Sequence, residues 1–440
     1  MNHEIQVGMD LGMKHHRVKI FLPDEKMECL NLEHRHASFD ELHRHLQELK
    51  QRYESTLVMG FEGSGGLASP LDEYFLSKGY KVYNVSSSKL SRFRQLYGAD
   101  SKSDDRDASL ICHFLRMRNE LKFNNTNALN LIQKRPTEER IKSLARSIVN
   151  LMNQKRRMVE QIKAHLSNYF PELLDLQEAF NHARWIFELL KRQSRPSKIQ
   201  KLRPEKLKYS KTGIRLSHAQ RIINLAKTIQ YECVSEEEQS LQVSILSGHV
   251  LNLLDSIDTL ENKLSDLGQQ SKSYQAIDAI PGAGKRIAGR ICGEIGEITR
   301  FESPDALNAY SGLCKLDHSS GTRKSDKKNI QCNKRLKNAL LDLAYQATRH
   351  NEGYKAYYER KKNEGKKHLQ ILKSIGRYLL RDIYKRLHEA QKCDEALSLM
   401  DQRGDIREEV EAAYHKPQNG HSGHLPTNRI LESVGCVNNS

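Results

Sequence analysis

The chain has no run approaching the roughly 18 consecutive apolar residues that a membrane-spanning helix needs, so a bilayer is not among its expected partners. Its first residues, Met1-Asn2-His3-Glu4, show neither a basic region nor a long apolar stretch behind it, and no secretory signal is expected. The eight cysteines include no C-x-x-C pair and no regular framework. That excludes the common zinc spacings and points to reduced thiols in the cytosol. The 19 histidines form no H-E-x-x-H pattern, and His15, His16 and His43 are expected on solvated faces. A Walker A loop is also missing: Gly282-Ala283-Gly284-Lys285 lacks the G-x-x-x-x-G-K-[ST] spacing.

What is present in excess is positive charge. Across 440 residues, 71 Lys and Arg face 55 Asp and Glu, a formal net charge of +16. A surplus of that size favours a polyanionic partner, because each neutralised phosphate releases counterions. The length predicts two or three domains.

Four carboxylates stand apart from the general acid content. Asp10 ends the apolar run Val7-Gly8-Met9-Asp10, and Glu62 ends Leu57-Val58-Met59-Gly60-Phe61-Glu62. Asp104 and Asp107 are one helical turn apart in Lys102-Ser103-Asp104-Asp105-Arg106-Asp107. Acids at the ends of neighbouring strands, met by an i,i+3 pair on a helix, can converge on one point. Such a cluster is costly unless hard divalent cations neutralise it. Two bound metals can then serve both the attacking and the leaving oxygen at a phosphate. Lys102 and Arg106 would orient phosphates or pair with the acids.

Residues 4 to about 125 read as alternating strand and helix. Strands are predicted at 4–11, 17–22, 27–33, 56–61 and 80–85. A helix is predicted from a capping box at Ser38-Phe39-Asp40-Glu41 to about Tyr53, and another from Ser69-Pro70 to near Gly79. Further helices are predicted at 88–97 and 104–118. Three strands, helix, strand, helix, strand, helix is the order of a ribonuclease-H-like α/β domain. From Pro136 to Phe170 the spacing is helical, interrupted by Lys155. Leu246, Val250, Leu253, Ile257, Leu260, Leu264 and Leu267 alternate spacings of four and three, a coiled-coil seam or one face of a bundle helix. The arms could fold on each other or pair between protomers. Between them, 191–221 is a Lys/Arg-dense linker that could grip phosphates or simply be solvated.

A mostly helical block follows from about 274. Pro281-Gly282-Ala283-Gly284-Lys285 before a helix resembles a helix-hairpin-helix turn, whose free backbone N–H groups can meet a phosphate. Ser319-Ser320-Gly321 precedes a basic run containing Arg323, Lys324, Lys334 and Arg335; a serine before glycine on a tight turn, among cations, could act as a nucleophile or be an ordinary loop residue.

Together these segments resemble the DEDD transposases of bacterial insertion sequences, the "one-ten" group described as bridge-RNA-guided serine recombinases. The resemblance rests on Asp10, on Glu62-Gly63-Ser64-Gly65 and on Lys102-Ser103-Asp104-Asp105-Arg106-Asp107-Ala108. It continues through Ile280-Pro281-Gly282-Ala283-Gly284, Glu294-Ile295-Gly296, Ala309-Tyr310-Ser311-Gly312-Leu313, Ser319-Ser320-Gly321, Arg335-Leu336-Lys337 and Gly365-Lys366-Lys367. The polar, aperiodic residues 396–440 are expected to be a disordered tail; the resemblance itself implies a RuvC-like α/β domain over 1–130, a helical coiled-coil region with its basic linker over 131–272, and a mostly α transposase domain over 273–395. It implies Mg²⁺ (or Mn²⁺) held by Asp10, Glu62, Asp104 and Asp107, and Ser320, with Ser319 as the fallback, as the nucleophile. DNA at element ends and target, a structured guide RNA, a homo-oligomer (dimer or tetramer) and a cytoplasmic, nucleoid-associated location in bacteria are implied with it. The chain departs from the family pattern at Glu62-Gly63-Ser64, at Val85-Ser86-Ser87 and at Cys332, where glycine is usual. Three functions stay open: a transposase or closely related chromosomal invertase, a RuvC-like structure-selective nuclease using water, and a non-enzymatic nucleic-acid-binding protein.

Overall fold

The computed structural model describes residues 4–62, 68–85, 87–96, 104–118, 129–132, 136–207, 214–229, 233–320, 323–328 and 332–403. The tail expected from 396 therefore lies mostly outside the described residues. The chain divides into two compact units: 1–135 with 297–337 and 376–384, and 136–296 with 338–375 and 385 onward.

The first unit is built on a six-stranded sheet of order β3-β2-β1-β4-β5-β6. Its strands are β1 (Glu4–Leu11), β2 (His15–Phe21), β3 (Met27–Glu33), β4 (Thr56–Glu62), β5 (Lys81–Val85) and β6 (Leu129–Leu131). β1 to β3 form an antiparallel meander; β4 lies parallel to β1 and β5 parallel to β4. This mixed α/β order is consistent with the ribonuclease-H-like domain expected from the sequence. β6, antiparallel to β5, was not predicted; three residues carry too little periodicity to announce a strand.

Helices cover both faces of the sheet. α1 (His36–Arg52) and α2 (Ala68–Ser77) bury Phe39, Leu46, Leu71 and Phe75 against the odd-numbered residues of β1 and β4. α3 (Ser87–Leu96) and α4 (Asp104–Arg116) bury Leu90, Phe93, Ile111 and Phe114 on the opposite face, which includes Val58. The expected cap of α1 is wrong. The helix starts two residues before Ser38, with Arg35 at the N-cap and no side-chain capping bond. α2 likewise begins at Ala68, before Ser69.

The rest of the chain is mainly helical. α5 (Pro136–Tyr169) is followed by α6 (Gln177–His182), α7 (Arg184–Arg192), α8 (Pro196–Ile199), α9 (Pro204–Leu207), α10 (Leu216–Lys227) and α11 (Glu236–Gly268). Then come α12 (Lys272–Asp278), α13 (Gly284–Ile295), α14 (Pro304–Ser311), a hairpin of β7 (Lys315–Ser320) and β8 (Arg323–Lys328), α15 (Lys334–His350), α16 (Glu352–Asn363) and α17 (His368–Arg403).

In the second unit α5 and α11 lie along each other, so the two arms fold together within one chain. The buried line on α11 runs Val243, Ser247, Val250, Ile257, Glu261, Leu264 and Gly268. Leu246, Leu253 and Leu260 are only partly covered. α13 crosses closely on both arms because Gly289 and Gly293 carry no side chain. A Cβ on Gly289 would sit 2.9 Å from a methyl of Leu264, and one on Gly293 2.6 Å from the Lys142 Cα. Arg146 on α5 closes this contact with a bidentate pair to buried Glu294, at 2.7 and 3.0 Å.

The basic stretch after 191 is not a plain linker. Ile199 of α8, Leu207 of α9 and Ile214 join Leu189 and Leu190 of α7 in one core with α10. Lys191, Arg192, Lys198, Lys201 and Arg203 lie around it, outside that core. Lys208 and Lys211 lie outside the described residues.

Candidate active site at the strand ends

The acid site begins with two glycines. Side chains alternate along a strand, so Gly8 and Asp10 share one face of β1, and Gly60 and Glu62 share the same face of β4. That face meets α4. A Cβ on Gly8 would lie 2.3 Å from the Ala108 carbonyl oxygen and 2.9 Å from the Cys112 amide nitrogen. A Cβ on Gly60 would lie 3.1 Å from Leu115. The helix can press onto these strands only because both positions lack a side chain. The register pairs Met9 with Phe61, which puts Asp10 and Glu62 side by side just beyond it, at the same end of adjacent parallel strands.

The first turn of α4 is fixed over that end by charge. Asp105 pairs with Lys19 (2.7 Å) and with Arg17 on β2, and Arg17 stands directly across from Asp10 in the antiparallel register. The hydrogen bond from Lys19, then that from Arg17, holds the Asp105 carboxyl below the usual carboxylate range; the Asp105 bond in turn raises Lys19. Further along, buried Cys112 donates to the Lys19 carbonyl at 3.2 Å, and burial pushes its thiol up to about 12.

Asp107 faces inward and has no exposed surface. Arg94 on α3 donates to its Oδ1 from Nε at 2.8 Å, and a terminal nitrogen of the same guanidinium pairs with that oxygen at 2.6 Å. The second oxygen, Oδ2, is buried without a hydrogen-bond partner among the described residues. A buried carboxylate oxygen left this way is costly, and it is the kind of hard donor that Mg²⁺ or Mn²⁺ takes. The donor set therefore fits such an ion on this observation and on the register of Asp10 and Glu62. Among the described residues, no three His, Cys, Asp or Glu stand together as a preformed ligand group. Asp104 opens α4, but its side chain lies outside the described residues, as does Lys102. Arg106 is exposed. Arg94 and Asp105 were missed in the sequence, and only the basic residues flanking the motif hinted at them.

The expected nucleophile stands at the end of a hairpin rather than in a loop. Ser320 is the last residue of β7, in register with Arg323, and Ser319 pairs with Lys324. The Gly321 that follows lies outside the described residues. The base of the hairpin is braced. Gly312 closes α14 with φ 70°, and a Cβ there would meet the Cys332 sulfur at 2.4 Å. The Asn333 amide donates to the Tyr310 carbonyl at 2.8 Å, and Asn333 Nδ2 donates to the Tyr310 hydroxyl at 2.9 Å. Lys334 and Arg335 stand where α15 begins.

The glycine turn at 282–284 has both positive-φ residues, Gly282 at 88° and Gly284 at 55°. Gly282 lies against Gln346, where a Cβ would come within 3.0 Å, so its glycine is required by packing as well as by conformation. Gly284 and Lys285 are exposed at the start of α13, and Lys285 reaches Glu261 at 3.9 Å.

Two smaller expectations fail. His16 is fully buried, not solvated, because β2 turns His16, Val18 and Ile20 toward one core. It lies 2.8 Å from His34, and burial, then the neighbouring His34 and His15, push it down to about 4. His43 is half-buried and bonded to the Tyr80 hydroxyl at 2.8 Å.

Two family models match the chain. One, described as a transposase of the DEDD IS110 type, covers residues 7–171; the other, "Transposase IS116/IS110/IS902 family", covers 274–359. The "Insertion element IS116 uncharacterized 44.8 kDa protein" of Streptomyces clavuligerus is 22% identical over 85% of this chain and 92% of its own length. The "Insertion element IS900 uncharacterized 42 kDa protein" of Mycobacterium paratuberculosis is 22% identical over 88% and 97%. The "Insertion element IS110 uncharacterized 43.6 kDa protein" of Streptomyces coelicolor is 23% identical over 71% and 76%. No described helix is long and apolar enough to cross a membrane.

Proposed function

The chain belongs to the IS116/IS110/IS902 transposase family, and from that premise we propose that it is a DNA recombinase joining two half-sites: a RuvC-like acid site at Asp10, Glu62, Asp104 and Asp107, and a serine at Ser320. The observation that carries the acid half is the orphaned, buried Oδ2 of Asp107, on a helix pressed to the strand ends by Gly8. These acids would hold Mg²⁺ or Mn²⁺, which when bound would supply charge neutralisation at a phosphate. Arg17, Lys19 and Asp105 keep the first turn of α4 in place, so the acids need not reorganise as substrate enters.

In the serine half, the Ser320 Oγ attacks phosphorus. An Oγ–P bond forms, one P–O ester bond of the DNA strand breaks, and the freed sugar hydroxyl takes up the proton the serine loses. Reversal with a different strand end completes the exchange. Arg323, in register with Ser320, and Lys324, Lys334 and Arg335 nearby in sequence supply positive charge for the phosphate. The exposed N-terminus of α13, with Gly282, Gly284 and Lys285, adds a sequence-independent phosphate contact. The two long arms, as a coiled-coil-like pair, carry the parts into a homo-oligomer. A structured RNA of the element guides choice of donor and target, as the family resemblance implies.

The test is trapping of a covalent protein–DNA adduct. Wild-type protein with Mg²⁺ and element-end DNA is expected to give an adduct that Ser320→Ala abolishes without loss of DNA binding. Adduct formation and recombination by Ser320→Ala would overturn the nucleophile assignment. Free cut ends with no adduct in the wild type would replace it with hydrolysis by water, the structure-selective nuclease. Asp10→Asn is expected to lose cleavage while keeping DNA affinity; unchanged cleavage would remove the acid site from the chemistry. Family members that invert chromosomal segments would share this chemistry, and product topology separates inversion from transposition.

A further inference from the structure

α16 is a well-formed helix with no buried residue. The exposure extends past its ends: between Ala347 and Ile371, both buried, no residue is buried at all. A helix that is polar all round gains nothing from a core, so its fold is held by other means. Here the Asn351 side chain caps the start by accepting from the Tyr354 amide at 3.1 Å. Gly365 turns the chain at the end with φ 75°. The Tyr358 hydroxyl meets His368 Nδ1 at 2.7 Å, and the His368 ring stands edge-on to Tyr345. Polar clasps and rings, not apolar burial, hold this arm in place.

The charge on the arm is one-sided. Arg349, Lys355, Arg360, Lys361, Lys362, Lys366 and Lys367 face only Glu352, Glu359 and Glu364. The negative end of a helix dipole accounts for cations in the last turn. It covers Arg349 in the last turn of α15 as well as Arg360, Lys361 and Lys362 in that of α16, but not Lys355 in the first half of α16 or Lys366 and Lys367 beyond the turn. Several of these cations are ordered by rings: Arg349 lies 5.9 Å over Tyr345, and Arg360 and Lys361 lie 5.4 and 5.9 Å over Tyr357. Those ring faces are covered by the chain's own cations. The surface therefore offers fixed charges rather than open stacking platforms, which suits a phosphate backbone better than unpaired bases.

We propose that the exposed arm from Arg349 to Lys367, centred on α16, is a sequence-independent binding site for the phosphate backbone of duplex DNA, separate from the acid site, the serine hairpin and the turn at 282–284. The site rests on the reading of the chain as a DNA recombinase. Twelve helical residues span about 18 Å, enough to follow several successive phosphates.

The experiment measures binding of the full-length protein to a fluorescent duplex across a salt series. It compares wild type with a fourfold variant, Lys355→Gln, Arg360→Gln, Lys362→Gln and Lys366→Gln. Each phosphate contact contributes roughly 0.9 to the slope of log K against log salt. The variant's slope is expected to fall by up to about 3.6, with affinity at 0.1 M salt at least about tenfold weaker. The matching variant with Arg at the three Lys positions is expected to keep the wild-type slope. An unchanged slope in the fourfold variant, or a loss seen with single-stranded RNA of equal length and not with the duplex, would overturn the proposal. Should the fourfold variant melt early, Lys362→Gln alone, at an exposed position, reads the same effect as a slope change of about one. A wild-type protein that binds no duplex would instead count against the recombinase reading itself.

Discussion

Arg94 directs two of its nitrogens at a single oxygen of Asp107, Oδ1, and leaves Oδ2 buried beside it with no hydrogen bond among the described residues. A guanidinium ordinarily grips a carboxylate with both oxygens engaged. Here one oxygen is compensated and the other held in reserve. A cation at Oδ2 would share Asp107 with Arg94, which neutralises the carboxylate in the meantime.

Removing Arg94 should make the protein depend on divalent metal for its stability. Arg94→Ala leaves a fully buried carboxylate without its counter-charge, a change that costs about 3–5 kcal/mol in comparable buried pairs. Thermal melts in chelator are expected to show that loss, and added Mg²⁺ is expected to restore much of it. The Mg²⁺-induced rise in melting temperature should then be larger in the variant than in the wild type. Equal rises in the two proteins would mean that Asp107 does not meet the metal.

Gly8→Ala tests whether close approach of α4 builds the site. The added methyl would stand 2.3 Å from the Ala108 carbonyl oxygen, a backbone atom that cannot swing aside. Overpacking of this kind costs typically about 1–3 kcal/mol. The displaced helix would also carry Asp107 away from Asp10 and Glu62, so Mg²⁺ affinity by calorimetry should fall together with DNA cleavage. A destabilised variant with wild-type Mg²⁺ affinity would separate the packing from the metal site.

The strand ends that carry Asp10 and Glu62 and the helix that carries Asp104 and Asp107 were readable from apolar runs and helical spacing, and the order of strands and helices was readable for the same reason of period. The partners of those acids were not. Arg94 and Asp107 lie on different helices, and Asp105 reaches back to Arg17 and Lys19 on β2, contacts that only the folded sheet creates. The seam on α11 was half right. Val250, Ile257, Leu264 and Leu267 are buried as expected, but the line continues through Ser247, Glu261 and Gly268 rather than through Leu246, Leu253 and Leu260. Apolar spacing could not flag those three: Glu261 is buried beside Arg286, and Gly268 is needed because a Cβ there would strike the Tyr274 ring at 2.4 Å.

The buried imidazole of His16 should make the α/β unit sensitive to mild acid. Its folded pKa is depressed from 6.5 to about 4, so the unfolded chain takes up a proton first. Stability from this group is whole above about pH 6.5 and is lost as pH falls toward 4, by up to about 3 kcal/mol. His16→Met removes that titration. Chemical denaturation at pH 7.5 and at pH 5 should show a smaller acid loss in the variant than in the wild type; parallel losses would place the sensitivity elsewhere.

Ser247 offers the reverse case, a residue whose loss should help. It is fully buried on α11, and its hydroxyl has no hydrogen-bond partner among the described residues. An unsatisfied buried hydroxyl forfeits its hydration for nothing, at about 1–3 kcal/mol. Ser247→Ala deletes that atom, keeps the helix, and replaces a weaker helix former with the strongest one. The void it leaves is a single oxygen in size, so its cost is smaller than the desolvation recovered. Denaturant midpoints are expected to rise by the equivalent of about 1 kcal/mol at unchanged slope. A fall of that size would show that the hydroxyl is bonded in solution, and that the arm pair is pinned at Ser247 by a polar contact.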